Sequence, residues 1–215
     1  MPPRAQGARL GSGRPEISPE FVAVHKRRRI MNAIAELSAE QGYEATKIGD
    51  IVRRAGVARK TLYDNFDGKE EVFLSAFDAA FGEATRRVEE ACAVVEGDWD
   101  ERLAAGLAAF LGFVAEEPAL ARMCMIEALS ATPAAKERYE DALGAFVTLA
   151  SRNAPRDERL PETIDETVVG GVAWIVYQKI RRGEATEAEE LLPELTEFMT
   201  APYLGAAAAA KRTRI

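Results

Sequence analysis

The sequence predicts an all-α fold, in which an N-terminal three-helix unit precedes a larger helical body. Apolar residues recur at helical spacing along most of the chain, for example at Phe73, Phe77 and Phe81. The alternating pattern of a strand does not occur in the sequence. Glycines such as Gly42 and Gly56 follow apolar stretches, where helices commonly end. These observations indicate a series of helices joined by short turns.

The two ends of the chain lack this periodicity. Residues 1–19 are rich in Pro, Gly and Arg, and we expect them to form a disordered arm. Residues 206–215 combine an alanine run with KRTRI, and we expect them to form a flexible tail. A basic run at residues 25–29 lies at the start of the first helix, where it either forms a solvated face or contacts phosphate.

Residues 46–70 read TKIGDIVRRAGVARKTLYDNFDGKE and predict a helix-turn-helix. Thr46 is the expected N-cap of its first helix, and Gly56 is the expected end. Leu62 and Phe66 are four residues apart and should anchor the second helix inward. The side chains left facing outward are Arg59, Lys60, Thr61, Tyr63 and Asp64. This pattern suits a helix that enters a DNA major groove, although a helical hairpin with a solvated charged face shares it.

The charge distribution favours a nucleic-acid partner for the N-terminal part. The whole chain of 215 residues has a net charge of −7. Residues 1–70 nevertheless hold 13 Lys/Arg and 9 Asp/Glu, whereas residues 71–215 hold 15 and 26. Because phosphates repel the acidic body, the molecule has one basic end that can face DNA.

The run GYEATKIGDIVRRAGVARKTLYDNFDGKEEVF at residues 42–73 resembles the TetR (tetracycline-repressor) family of bacterial transcription regulators. The resemblance implies a helix-turn-helix DNA-binding domain at residues 20–68. It also implies an effector-binding and dimerisation domain at residues 69–205. Position 58 departs from the family pattern, since it holds Ala58 where a capping serine is frequent.

The same resemblance implies which side chains contact DNA. Phosphate contacts are expected from Thr46, Thr61, Tyr63 and Lys69, with Lys47 nearby. Arg59 and Lys60 face outward near the start of the recognition helix and are expected to reach base edges.

Further helices are predicted along the rest of the chain. A long helix over residues 69–95 links the two domains, and Asp98 or Asp100 caps the next. Helices then start at Pro118 and Pro133, and a polar loop follows at residues 151–161. The last helix is predicted over residues 185–201, where Pro193 must either kink it or mark its first turn.

The residue pattern of one predicted helix indicates that the chain associates with a second copy of itself. Residues 168–177 are nearly apolar on all sides, so this helix must be buried on two sides. Gly170 and Gly171 allow a partner backbone to approach closely. We therefore expect a two-fold homodimer formed by this helix and the one at residues 185–201.

The C-terminal domain is rich in large, pliable apolar side chains. The family resemblance implies a small-molecule effector site among them, although each such side chain alone is more often part of a filled core. The candidates are Phe77, Phe81, Phe110, Phe113, Met123, Met125, Phe146, Trp174 and Tyr177. A mostly apolar effector is expected, uncharged or oriented by one polar contact such as Tyr177.

The sequence argues against an enzyme. His25 is the sole histidine and lies in the basic run, and no Gly-rich phosphate loop is present. Cys92 and Cys124 are expected to be buried small hydrophobes, since their spacing matches no metal or disulfide framework. We expect no catalytic residue, metal or cofactor. Without a signal core or a run of membrane-spanning length, we expect a cytoplasmic protein that does not contact a membrane.

These features predict a repressor-type regulator that binds a palindromic DNA operator as a homodimer and is released by a small apolar effector. One alternative is a helical DNA-binding protein without an effector, serving an architectural or spatial-control role. Another is a helical ligand-binding protein whose basic end binds no DNA.

Overall fold

The computed structural model describes residues 19–155 and 157–205. Within these ranges the chain is helical and contains no strand, which confirms the all-α prediction. The helices are α1 (Pro19–Gln41), α2 (Ile48–Ala55), α3 (Arg59–Tyr63), α4 (Lys69–Ala93), α5 (Trp99–Glu116), α6 (Pro118–Arg122), α7 (Ala128–Ala131), α8 (Pro133–Ser151), α9 (Ile164–Arg181) and α10 (Leu192–Leu204).

Two helical segments of other types complete the set of helices in the described residues. A π-helical turn, Met123–Glu127, joins α6 to α7, and a 3₁₀ helix, Ala185–Leu191, precedes α10. The predicted arm, apart from Pro19 at the start of α1, and the predicted tail lie outside the described residues.

The ends of α1 and α2 show which helix-end predictions hold. Gly42 and Gly56 follow the two helices with φ of 86° and 59°, as expected for residues that end a helix. The prediction of Thr46 as N-cap is wrong, because α2 begins after Lys47. The Lys47 amide donates to the Asp50 carboxylate at 3.2 Å. The Thr46 hydroxyl instead donates to the Gly42 carbonyl at 2.8 Å.

Two helix boundaries further along the chain decide between alternatives that the sequence left open. Asp98 is the cap of α5, and its amide donates to Glu101 at 2.8 Å. The predicted helix over residues 185–201 is divided, and Pro193 lies in the first turn of α10. Proline has no N–H and its ring clashes with the carbonyl four residues earlier, so the first turn of an α-helix accommodates it better than the interior does.

The N-terminal unit and the C-terminal body share one apolar core. Ile34 and Ile51 from α1 and α2 belong to the same buried cluster as Phe73 of α4 and Ala128 of α7. The cluster also contains Leu62, which anchors α3. The helix-turn-helix therefore rests directly on the C-terminal body.

Two arginines of the basic run bind within the N-terminal unit. Arg27 donates to the Asn65 carbonyl at 2.8 Å, and its guanidinium lies 4.1 Å from the centroid of the Phe66 ring. Arg29 donates to the Gly56 carbonyl at 3.1 Å. These contacts hold α1 against the ends of the two motif helices, at the turn after α2 and at the segment after α3, a role that neither interpretation of the run anticipated.

The C-terminal body is built around α4, α5, α8 and α9. Val168, Val172 and Val176 of α9 are buried in its core, whereas Trp174 and Ile175 face outward. Each helix in the described residues is, taken by itself, too short or too polar to span a membrane. One pair of helical segments, Trp99–Glu116 and Pro118–Ala131, has the length and composition of a membrane span when taken together, but the pair is bent by 102°.

The turn glycine between α2 and α3 gives a stability test. Gly56→Ala should lower the free energy of unfolding by about 1–2 kcal/mol, because a left-handed backbone disfavours a side chain. The added Cβ would also lie 2.6 Å from the Arg29 guanidinium. Urea unfolding of the full chain at one fixed protein concentration measures this difference.

Gly49→Ala is the matched control, because a Cβ there meets nothing within 4 Å and the residue lies inside α2. It should leave stability unchanged or raise it by up to about 1 kcal/mol. Equal stability of the Gly56→Ala and Gly49→Ala variants would contradict the assigned backbone constraint.

Candidate nucleic-acid interface and internal cavity

The exposed surface of α3 carries the candidate base-reading residues. Leu62 and Phe66 are buried, which turns Arg59, Lys60 and Tyr63 toward solvent. Arg59 reaches back over Tyr63, with its guanidinium 5.8 Å from the ring centroid. Lys60 pairs with Asp64 at 3.1 Å, and both side chains are more than half exposed. Such exposed pairs contribute only about 0.5 kcal/mol, so Lys60 can be redirected to a ligand at little cost.

The remaining predicted DNA contacts occupy different environments. Lys47 is exposed beside this surface, and Thr61 is half-buried. Thr46 is 1% exposed, and its hydroxyl is bonded to the Gly42 carbonyl. We therefore correct its role: the Thr46 side chain stabilises the turn after α1 and is not available to a phosphate.

Lys69, the first residue of α4, is held by Tyr43. Its ammonium donates to the Tyr43 carbonyl at 3.0 Å and lies 3.9 Å from the centroid of the Tyr43 ring. Burial, with the nearby charges of Glu70 and Glu44, raises the pKa of the Tyr43 phenol, so the ring remains neutral. The sequence motif contained both residues but gave no indication of this contact.

A cavity of about 500 Å³ lies inside the C-terminal body. Its walls come from α4, α5, α8 and α9 together with the α6–π-turn segment. Phe146 makes edge-on contacts with Phe81 and Phe110, at centroid distances of 5.6 and 5.3 Å. Six of the nine predicted pocket residues line the cavity: Phe77, Phe81, Phe110, Phe113, Met125 and Phe146.

The other three do not line this cavity. Met123 is fully buried in the core shared with the N-terminal unit. Trp174 is 58% exposed and stacks on Tyr177 at 5.5 Å. These two aromatic residues are three positions apart on α9 and so share its outer face, whereas Val169, Val172 and Ala173 line the cavity.

Polar residues that sequence reasoning missed lie at the cavity end farther from the N-terminal unit. The lining there includes Glu89, Arg102, Arg152 and Asn153. Arg102 donates to the Gly97 carbonyl, and Asn153 has a left-handed backbone with φ of 63°. The Trp99 indole donates to the Ala150 carbonyl at 3.0 Å and ties α5 to α8 beside this end. A useful signal was Arg102 within the apolar α5, directly before the core residue Leu103.

The cavity thiols are poor nucleophiles. Burial raises the pKa of the Cys124 thiol to about 12, and burial also raises the pKa of Cys92. The thiolate is the nucleophilic form, and both groups are protonated at neutral pH. The Cys92 thiol donates to the Arg102 carbonyl at 3.3 Å. Within the described residues, no group of three or more His, Cys, Asp or Glu side chains could hold a metal ion.

Comparison with known proteins identifies the N-terminal module. Residues 30–76 match the model for bacterial regulatory proteins of the tetR family. The fatty acid metabolism regulator protein of Bacillus subtilis (strain 168) is 37% identical over 65 residues, 30% of this chain and 34% of that protein. EthR, an HTH-type transcriptional regulator of Mycolicibacterium smegmatis, is 27% identical over 138 residues, 63% of each chain. The chain thus matches about a third of the length of the first relative and under two thirds of the second.

Solved structures share the fold of nearly the whole described chain. FadR from Bacillus subtilis, in complex with stearoyl-CoA, superposes with a TM-score of 0.70 at 20% identity over 83% of this chain and 98% of that one. FadR from Bacillus halodurans gives a TM-score of 0.73 at 18% identity over 86% and 96%. Residues 30–76 thus belong to the tetR family of bacterial regulatory proteins, and the helical architecture behind them is the fold that these solved structures share.

Proposed function

We propose that this chain is a transcriptional repressor that binds a palindromic double-stranded DNA operator as a homodimer and leaves it when a small effector fills the cavity. One observation carries the proposal. An exposed basic helix surface and an apolar cavity of about 500 Å³ occupy separate parts of the chain and meet at a shared core. A ligand can therefore act on DNA binding without contacting DNA.

The DNA contact is assigned to the exposed side of the helix-turn-helix. Arg59 lies in the first turn of α3 and can form a bidentate pair with a guanine, a contact worth about 1–3 kcal/mol of discrimination. Lys60 lies beside it and can reach a neighbouring base edge. Lys47 and Tyr63 are exposed at the edges of this surface and suit phosphate contacts. Thr61 and Lys69 are half-buried behind them and complete the proposed phosphate set.

The dimer is assigned to the outer faces of α9 and α10. Trp174, Ile175 and Phe198 are 58%, 39% and 44% exposed, and all belong to these helices. Gly170 has open space in front of it, whereas a Cβ on Gly171 would lie 2.8 Å from the Phe198 ring. Gly171 therefore serves packing within one chain, and Gly170 is the glycine that a partner can approach. Two copies of α9 and α10 would form a four-helix bundle and present two α3 helices to successive major grooves, about 34–36 Å apart.

The effector is assigned as a molecule with an apolar chain and an anionic head. Aromatic and aliphatic walls suit the chain, and Arg102 and Arg152 at one end suit a carboxylate or phosphate. A solved structural relative, FadR from Bacillus subtilis, is in complex with stearoyl-CoA, which supports an acyl chain. This proposal replaces the expected effector that is either uncharged or oriented by one polar contact such as Tyr177, because Tyr177 lies outside the cavity wall and the cavity lining includes two arginines. The cavity volume also argues against a filled core.

The DNA assignment is tested with duplexes that full-length protein enriches from a random pool. Arg59→Ala should lower affinity for the enriched sequence by about 5- to 100-fold relative to random duplex, because a base contact is lost. Lys47→Ala should weaken all duplexes equally and reduce the slope of log K against log salt by about 1. An equal loss on both duplexes for Arg59→Ala would remove its base-reading role, and failure to enrich any sequence would contradict the operator.

The dimer assignment is tested by sedimentation velocity. Ile175→Glu should convert the dimer to monomer at micromolar concentration, because it buries a charge in the proposed bundle. Val94→Glu is the control: Val94 is 79% exposed at the end of α4, away from α9 and α10, so this variant should remain dimeric. A dimer of unchanged affinity in the Ile175→Glu variant places the interface elsewhere.

The effector assignment is tested with dodecanoate, 1-dodecanol and stearoyl-CoA. The two anionic compounds should raise the melting temperature and release the enriched duplex, because ligand bound to the folded state stabilises it. Arg152→Ala should weaken dodecanoate binding about tenfold and leave 1-dodecanol binding unchanged. Arg159→Ala lies in the same loop but outside the cavity wall, and should change neither affinity. If none of the compounds raises the melting temperature or releases the duplex, the acyl effector is excluded.

A further inference from the structure

The π-turn Met123–Glu127 lies between the cavity and the N-terminal unit. Met123 is buried in the core that also holds Tyr43 and Phe73. Cys124 and Met125, the next two residues, line the cavity. Single π-helical turns are rare and are found frequently at functional sites. The π-turn therefore contacts both the proposed effector cavity and the core beneath the proposed DNA-binding unit.

Glu127, the last residue of the π-turn, reaches the N-terminal unit directly. Its Oε2 accepts a hydrogen bond from the Tyr43 amide at 3.1 Å. Arg122 stands 3.8 Å from its other oxygen, and the Glu127 side chain is only 13% exposed. A charged acceptor in a largely buried position makes a stronger bond than a neutral or exposed one.

Tyr43 connects the Glu127 hydrogen bond to residues that are proposed to face DNA. Its carbonyl accepts from the Lys69 ammonium at 3.0 Å and from the Thr46 amide at 3.1 Å. Its ring lies beneath Lys69 and packs edge-on against Phe73, at a centroid distance of 4.9 Å. The position of Tyr43 therefore sets the position of Lys69 and of the segment that leads through Thr46 into Lys47.

We propose that Glu127 is a positioning residue that couples cavity occupancy to DNA contact through Tyr43. The inference rests on the proposed function and deepens its regulation. While the π-turn keeps its shape, the Glu127 carboxylate holds Tyr43 and, through it, Lys69. A ligand that presses on Met125 changes the turn. Relaxation of a π-turn to an α-helical one rotates the residues that follow by about 100° for each residue shifted, which carries the carboxylate away from Tyr43.

The test reads hydrogen exchange of the Tyr43 amide in the full chain, without DNA or effector. Glu127→Ala should speed this exchange at least tenfold, and Glu127→Gln, which retains a neutral acceptor, should speed it less. Met125→Trp crowds the cavity side of the turn and should also speed the exchange, although it removes no partner of Tyr43. If Glu127→Ala does not fold, Glu127→Gln still tests the bond, because it keeps the shape and removes the charge.

Leu129→Trp is the control for added bulk near Glu127. Leu129 is 40% exposed, lies two residues beyond Glu127 and is not part of the cavity wall. It should leave Tyr43 exchange unchanged. Unchanged exchange in either Met125→Trp or the Glu127 variants overturns the proposal, and faster exchange in Leu129→Trp equal to that in Met125→Trp also overturns it.

Affinity for DNA is a second measurement, and a merely structural role of Glu127 would not change it in this way. Glu127→Ala and Met125→Trp should each weaken binding to the enriched duplex about tenfold, and the double variant should bind no worse than either single one. Additive losses of about a hundredfold would show independent effects and overturn the coupling. If wild-type protein binds no duplex, the proposed function fails, while the exchange measurements still decide the role of Glu127.

Discussion

The five-residue helix α3 depends on the burial of two side chains. An isolated helix of this length is unstable in water, because nucleation costs more than a single turn of hydrogen bonds returns. Ala58 provides no side-chain cap that would offset this cost. Leu62 and Phe66 hold the helix by lying in the shared core, and Arg27 covers the Phe66 ring. The exposed side chains of α3 are therefore aimed by packing beneath them.

This dependence connects the DNA-facing surface with the rest of the molecule. The core that anchors α3 continues through Phe73 to Met123 and Ala128. A change in the packing of the C-terminal body can therefore reach α3 without a hinge between two separate cores. Close-packed interiors transmit such displacements because they contain few voids that could absorb them.

The ends of the helices follow from the sequence where local backbone geometry decides the structure. Gly42 and Gly56 end their helices because a left-handed residue is needed there, and Pro118 and Pro133 start helices because the first turn needs no N–H. The prediction of Thr46 as an N-cap is wrong because its hydroxyl donates backwards to the Gly42 carbonyl, an alternative that the sequence pattern does not distinguish from capping.

The pocket residues show the limit of periodicity. An apolar stripe shows that a side chain is buried, but not which of two neighbouring spaces it enters. Met123 and Met125 are two residues apart and face opposite sides of one helical segment, so only Met125 lines the cavity. Arg102 and Arg152 were missed because they are 50 positions apart and come together only through the packing of α5 against the end of α8.

The free energy needed for the proposed release from DNA can be compared with the free energy of single contacts. A hundredfold loss of operator affinity requires about 2.7 kcal/mol of preference for the released state. The exposed Lys60–Asp64 pair cannot provide this, since such pairs are worth about 0.5 kcal/mol. A hydrogen bond to a charged group contributes about 1.5–3 kcal/mol, more when the partner left behind is buried. The Glu127–Tyr43 bond has this character, and it stands between the cavity wall at Met125 and the cation at Lys69. Loss of that one bond, with the tenfold weakening expected of the Glu127 variants, would supply about half of the free energy that the proposed release requires, without any change in the apolar anchors that keep α3 folded.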